Sequence, residues 1–400
     1  MTPPADSPDI DLLDPEFYVD PYATYASLRA EHPIVWDAKN GLWGVFRYDD
    51  VIDIERRKDE FSNSGNERGG YRPLIPADRS IIGMDDPAHS VRRNLVARRF
   101  TPRAVKLLGD LVRDAAVSLI EEALAHGGPI EVVGELAAPL PATIIGKLIG
   151  FPDEKRDLLA SWANRTVALG GGPPAYNDDG IAAFMEFVEA CSALYEERKD
   201  APPQDDLISL WITAEAEGLK DSGAFGLSEI VADCLLLLDG GAETTRTTIG
   251  RTLMELAARP DQWQLLKDGA DLNVAVEEFI RWVTPVHNMC RVATADAQVG
   301  ETTIRAGEQV VLQYGSANRD LEHFDDPEVF DVTRERNAHL AFGHGTHFCL
   351  GAALARQEIR IFFEEFLARV DELTVAEPLV EHATAFVHGI RQGHVHATLR

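Results

Sequence analysis

Cysteine is scarce in this 400-residue chain, which has four. Cys191, Cys234, Cys290 and Cys349 are scattered without a CxxC pair, which argues against a disulfide framework and suits a reducing compartment. Positive charge is also in short supply, with 38 Lys+Arg against 66 Asp+Glu and a formal charge of −28. Nucleic-acid binders draw most of their affinity from cations that neutralise phosphates, so a chain this acidic is repelled by such partners and by anionic membrane surfaces. Long apolar runs are missing too: no uncharged stretch approaches the ~20 residues that span a bilayer. Residues 1–18 are polar, acidic and proline-containing, without the basic flank and apolar stretch of a signal peptide. These absences predict a soluble, cytoplasmic protein with no nucleic-acid or membrane partner.

What is present is ordinary for a globular protein, 45% hydrophobic and 26% charged, and the length suffices for a large core without staples. Apolar residues recur at three-to-four spacing over 20–31, 101–125, 152–169, 180–199, 228–259, 273–283 and 351–370, predicting helices. Strand candidates are short: 34–46, with Asn40-Gly41 as a turn signal, and 289–311, with Ala306-Gly307. The glycine- and proline-rich segments 170–180 and 201–204 lie between equally well-patterned helices, so neither reads as a linker. The expected fold class is mainly α (α+β), a single domain over 1–400.

The stretch Phe342-Gly343-His344-Gly345-Thr346-His347-Phe348-Cys349-Leu350-Gly351 precedes the helical pattern at 351–370. Its glycines permit sharp turns and close approach to a flat partner. Cys349 stands at a helix mouth, where unpaired amides and the dipole favour a thiolate. A thiolate in such a loop suits an axial iron ligand. For Cys191, Cys234 and Cys290 the reading is a small buried hydrophobe. A dinucleotide phosphate loop fails, because Phe348 stands where the third glycine belongs and no βαβ unit follows. Zinc held by His339, His344, His347 and Cys349 is a rival, but the spacing fits no known finger.

The loop resembles the haem-binding loop of the cytochrome P450 family at Phe342, Gly343, Gly345, His347, Cys349 and Gly351. Three further segments resemble the family in its order. Glu278 and Arg281 match its ExxR pair; at i, i+3 they share a helix face and form an ion pair that Arg334 would complete. Gly240-Gly241-Ala242-Glu243-Thr244-Thr245 resembles the oxygen-activating segment. Two interior glycines cost about 1 kcal/mol each against alanine, which suits backbone lying against something bulky, and Glu243 with Thr244 resembles the acid–alcohol pair that passes solvent protons to dioxygen. His89 and Arg93, with Arg291 and His347, match positions that hold the haem propionates; Arg93 is chosen over Arg92 by its i+4 relation to His89.

The resemblance spans residue 11 to the C-terminus. It implies the triangular helical fold with small β-sheets, haem b with Cys349 as its metal ligand, and monooxygenation of a hydrophobic small molecule with dioxygen and two electrons. No segment resembles a reductase module, so electrons would come from an acidic ferredoxin with its reductase, docking near Arg92, Arg98, Arg99, Arg103 and Lys106, a run without a single acid. Motif wording is most similar to actinobacterial enzymes that hydroxylate the side-chain methyl of cholesterol or cholest-4-en-3-one. Asp239 departs from them by placing a carboxylate where they carry an apolar residue; a polyketide, terpenoid or alkaloid-like substrate is the alternative. Candidate pocket residues are Leu236, Asp239, Val286, Met289, Phe386 and Val387, with segments 67–82 and 167–176. A haem-thiolate sensor, the competing class, has no need of the Glu243-Thr244 relay.

Overall fold

Capping side chains and prolines set where the helices start. Asp271 accepts from the Asn273 amide, Asp206 from that of Ser209, and Asn177 from that of Gly180, satisfying amides that have no partner inside a helix. The computed structural model describes residues 7–76, 79–125, 127–166, 169–170, 175–219 and 225–400. The helices that build the site are α1 (Ala88–Ala97), α2 (Gly109–Ala125), α3 (Pro139–Ile149), α4 (Arg156–Thr166), α5 (Asp178–Lys199), α6 (Leu227–Leu238), α7 (Thr244–Ala258), α8 (Leu272–Val283) and α9 (Ala352–Arg369). α7 packs against α8, α9 and the C-terminal strands, α9 lies on α2, and α3 touches α2, α4 and α6. Their apolar faces merge into one large cluster that includes Phe279, Phe362, Phe363 and Phe366, together with Leu253 and Leu256.

The helix expected over 101–125 is two helices, Pro102–Lys106 and α2. The Leu107 amide turns back onto the Ala104 and Val105 carbonyls, and Leu107 itself is 83% exposed, so no burial rewards continuing the first helix. The expected 228–259 helix is continuous except for a π-helical turn over Asp239–Glu243 between α6 and α7. Helices Tyr48–Arg56, Leu207–Glu217, Pro260–Lys267 and α3 lie outside the expected set. The stretch Val132–Ile149 is apolar and long enough to cross a membrane, yet 61% of it is buried inside the protein, as befits a core segment.

Five short strands, β1 (Ile34–Asp37), β2 (Leu42–Val45), β3 (Phe61–Ser62), β4 (Asn288–Ala293) and β5 (Gln309–Gln313), form one sheet in the order β1-β2-β5-β4-β3. β1 and β2 make a hairpin over Asn40-Gly41, where Gly41 has φ +68, a conformation glycine adopts freely. β2 runs parallel to β5, and the other pairs are antiparallel. A second sheet joins Val370–His382, Gly389–Leu399 and Ile130–Glu131. The sequence pattern does not show this C-terminal hairpin: Pro378 sits inside it, its register shifts at four places, and Val375, Val380 and Leu399 are exposed, so alternation is lost.

Candidate active site

The Cys349 loop is shaped by its glycines. Gly343 and Gly345 have φ of +66 and +69, and a Cβ on Gly345 would lie 2.6 Å from the Glu55 carbonyl oxygen. The Cys349 amide donates to the Phe342 carbonyl at 2.9 Å, and α9 begins three residues later. The amides of Gly351 and Ala352 are directed at the Cys349 sulfur. Burial is nevertheless the largest influence and pushes the thiol up, while these amides, Arg93 and Arg356 pull it down. This corrects the expectation that the helix mouth alone favours a thiolate: desolvation outweighs it until a metal shares the charge. The zinc reading gains nothing here. His339 faces Glu277 at 3.2 Å, His344 meets Arg56 and His347 stacks on His89, and no metal-holding cluster exists among the described residues.

Two imidazoles and two guanidiniums surround the loop. The rings of His89 and His347 are 4.0 Å apart; neither nitrogen of buried His89 has a hydrogen-bond partner, Nδ1 lying 3.6 Å from Asp86 Oδ1 and Nε2 facing no partner. Burial holds His347 down to about 2, helped by His89, Arg291 and Arg93. Arg93 donates to the Phe348 carbonyl, so it and not Arg92 reaches the loop. Arg291, expected beside the propionates, is also engaged within the protein. Its Nη2 is 2.9 Å from Glu55 Oε1 in a buried ion pair, and Tyr314 donates to the same oxygen at 2.6 Å. Glu55 also takes the His344 amide, tying helix Tyr48–Arg56 to the loop. Nothing in the sequence singled Glu55 out. Orphaned imidazole nitrogens and clustered donors fit a group carrying two carboxylates, and the sulfur at a helix start fits its iron.

Thr244 opens α7 after the π-helical turn. Its Oγ1 donates to the Gly240 carbonyl at 2.7 Å. Such turns displace backbone carbonyls from the helical ladder, and the hydroxyl supplies the missing donor. A Cβ on Gly240 would meet nothing within 4 Å, whereas one on Gly241 would crowd Ile145 at 3.2 Å, so the two glycines serve different neighbours. Glu243 does not reach Thr244. Its buried carboxylate takes Arg246 Nη2 at 2.5 Å and Thr247 at 3.3 Å, its second oxygen is unpartnered, and burial pushes its pKa up. Asp239 accepts from Thr166 of α4 at 2.8 Å, and burial raises it to about 7 with Glu243 adding to the rise.

Glu278 and Arg281 on α8 are fully buried. They make two short contacts, 2.7 and 2.8 Å, and Arg334 Nε completes the network at 3.1 Å from Glu278. The Asp331 amide and Asn337 also donate to Glu278, and Arg281 Nη1 donates to the Asn318 and Pro327 carbonyls. α8 is thereby pinned to the segment that leads into the Cys349 loop.

The pocket candidates come partly together. Val286 bridges Val387, and the His287 amide donates to the Phe386 carbonyl; Leu236 and Met289 are half-buried. Of segment 67–82, residues 77 and 78 lie outside the described residues, as do 167–168 and 171–174 of segment 167–176. On the outer surface Arg98, Arg103 and Lys106 are exposed and Arg99 pairs with Asp205. Arg92 corrects the expected docking set: it is 1% exposed and held by Asp233 at 2.5 Å.

A cysteine loop ahead of one helix, together with a glycine-threonine turn at the start of another, is the outline of a haem-thiolate protein. Comparison with known proteins gives the family. A family model described as cytochrome P450 matches residues 262–377. The chain is 41% identical to a steroid C26-monooxygenase of Mycobacterium tuberculosis, over 92% of this chain and 91% of that one. It is 36% identical to a methyl-branched lipid omega-hydroxylase of the same organism, over 98% and 95%. A Bacillus megaterium P450, CYP109E1, solved with testosterone, superposes with a TM-score of 0.85 at 31% identity, covering 96% of this chain and 99% of that one. The chain belongs to the cytochrome P450 family. It is a monooxygenase whose cofactor is haem b.

Proposed function

We propose that this chain hydroxylates an unactivated C–H bond at the end of a sterol-type side chain, such as that of cholest-4-en-3-one, as one cytoplasmic domain. The observation that carries the site assignment is the Cys349 sulfur receiving the Gly351 and Ala352 amides at the start of α9. Those donors hold charge on a sulfur ligand, so Cys349 is the residue to bind iron. Haem supplies, when bound, the iron at which dioxygen takes two electrons and two protons, one oxygen atom entering the C–H bond and the other leaving as water. His89, Arg93 and His347 are the residues to hold its propionates, with Arg291 sharing its charge between them and Glu55.

Thr244 is the proton-handling alcohol: its hydroxyl, fixed by the Gly240 carbonyl, is positioned rather than free to rotate. Glu243, held by Arg246, sets the field behind it and connects outward through Arg246 to the exposed Asn164. Leu236, Val286, Met289, Phe386 and Val387 supply the apolar walls. A separate acidic ferredoxin is the electron donor. Arg98, Arg103 and Lys106 are exposed, have no acidic partner among the described residues, and lie on segments packed against α9, the helix that follows the cysteine loop, a cationic face for an acidic partner. The sterol reading is supported by the likeness to the steroid C26-monooxygenase. Incubation of the reconstituted enzyme with cholest-4-en-3-one tests it: side-chain methyl hydroxylation is expected, and oxidation confined to the rings, or none, overturns the substrate assignment.

A further inference from the structure

Arg72 is the buried charge that the site described above leaves unexplained. It lies in the loop ahead of α1, is 4% exposed, and faces no carboxylate: the ionisable groups that act on it are Tyr71, Cys290 and Tyr18. Its Nη2 donates to the Gly170 carbonyl, while Nε and Nη1 are buried without any hydrogen-bond partner. Burial alone draws its pKa down to about 9, the mark of a cation without a counter-charge. Arginines are seldom buried unless paired, because the desolvation of the guanidinium is then uncompensated.

Its surroundings say what would compensate it. The guanidinium carbon sits 3.1 Å from the centroid of Phe386, the pocket residue beside the Val286 and Val387 bridge. A Cβ on Gly170 would meet the same ring at 2.5 Å. Three separate chain segments therefore converge, around residues 72, 170 and 386, on an apolar wall carrying one cation with open N–H edges. Nη2 keeps a second N–H besides the one given to Gly170, and together with an unpartnered nitrogen it forms an edge that matches a carboxylate in a plane with two parallel hydrogen bonds.

We infer that Arg72 is a specificity-determining residue that anchors a substrate carboxylate, so that a lipid acid is held by its head while its far methyl end is offered for oxidation. This rests on the pocket assigned under Proposed function and adds acid-bearing lipids to the neutral sterols assigned to it there. A neutral ketone would meet only one edge and leave the charge unanswered.

The test is a spectral titration of haem-loaded protein, following the low-to-high-spin change, with a methyl-branched long-chain acid, its methyl ester and cholest-4-en-3-one. Wild type is expected to bind the acid at least about tenfold more tightly than the ester. Arg72→Leu should bring that ratio to about one while changing the cholest-4-en-3-one affinity less than threefold. Arg72→Lys, which keeps the charge but not the fork, should retain a ratio between the two and guards against a folding defect in the leucine variant. Equal or absent binding of acid and ester by wild type, or a tenfold preference surviving in Arg72→Leu, overturns the inference. The reduced, CO-bound spectrum of the same samples reports the haem-thiolate assignment separately: an intact red-shifted band with no acid preference condemns Arg72 alone, and loss of the band in wild type condemns the site itself.

Discussion

Replacing Asp239 by Asn should stabilise this protein, and more so the more alkaline the buffer. The carboxyl sits buried in the π-helical turn, accepts from Thr166 and feels the repulsion of Glu243. Thr166 has one hydroxyl hydrogen, and the Trp162 carbonyl competes for it at 2.7 Å. That competition weakens the one hydrogen bond that favours the carboxylate, so burial, helped by the charge of Glu243, prevails. The folded chain thus binds this proton more tightly than the unfolded chain, whose carboxyl has its ordinary value of 3.8 against about 7 when folded. Stability is accordingly undiminished by this group below about pH 4, falls as pH rises toward 7, and stays reduced above it. At about 1.4 kcal/mol per pH unit the full gap is worth about 4 kcal/mol. Asp239 is half-buried, and screening reduces this to about 2 kcal/mol. Urea unfolding of wild type and Asp239→Asn at pH 5, 6, 7 and 8 measures it. The variant should gain about 2 kcal/mol at pH 8 and about a third of that at pH 5. A difference that is flat with pH, or largest in acid, refutes the reasoning.

Three further outcomes follow from the site. Glu278→Ala leaves the fully buried Arg281 without its counter-charge and should cost about 3–5 kcal/mol in chemical unfolding, whereas Arg334→Ala, which spares the pair, should cost less than half of that. Thr244→Ala removes the donor to the Gly240 carbonyl; product formed per NADH should fall several-fold with a matching rise in hydrogen peroxide, while the substrate-induced spectral shift is unchanged. Arg98→Glu with Arg99→Glu should slow reduction by an acidic ferredoxin about tenfold at low salt, with the gap narrowing as salt rises, and should leave substrate binding untouched.

The loop around Cys349 and the Glu278-Arg281 pair were legible in the chain because each is local, while Arg334, 56 residues from Glu278, came from the family resemblance alone. The paired glycines before Thr244 read as the interior of one helix over 228–259, without the π-helical turn that holds them. What escaped was set by long-range packing. Arg92 and Arg93 are neighbours in sequence, yet one ends on Asp233 in the core and the other at the cysteine loop. Arg291 could be read as a ligand of a carboxylate, but not as the partner of Glu55, 236 residues away. Glu243 and Thr244 read as a pair, although a helix turns adjacent side chains away from each other and the acid faces Arg246. Arg72 carried no motif at all, and its isolation is visible only once residues 170 and 386 are placed around it.

The assignment of Cys349 as the sulfur ligand underlies every other role proposed for these residues. The absorption spectrum of the reduced, CO-bound protein tests it most directly. Wild type should show the red-shifted Soret band of thiolate ligation, and Cys349→Ala should lose it. Retention of that band in the variant would contradict the account.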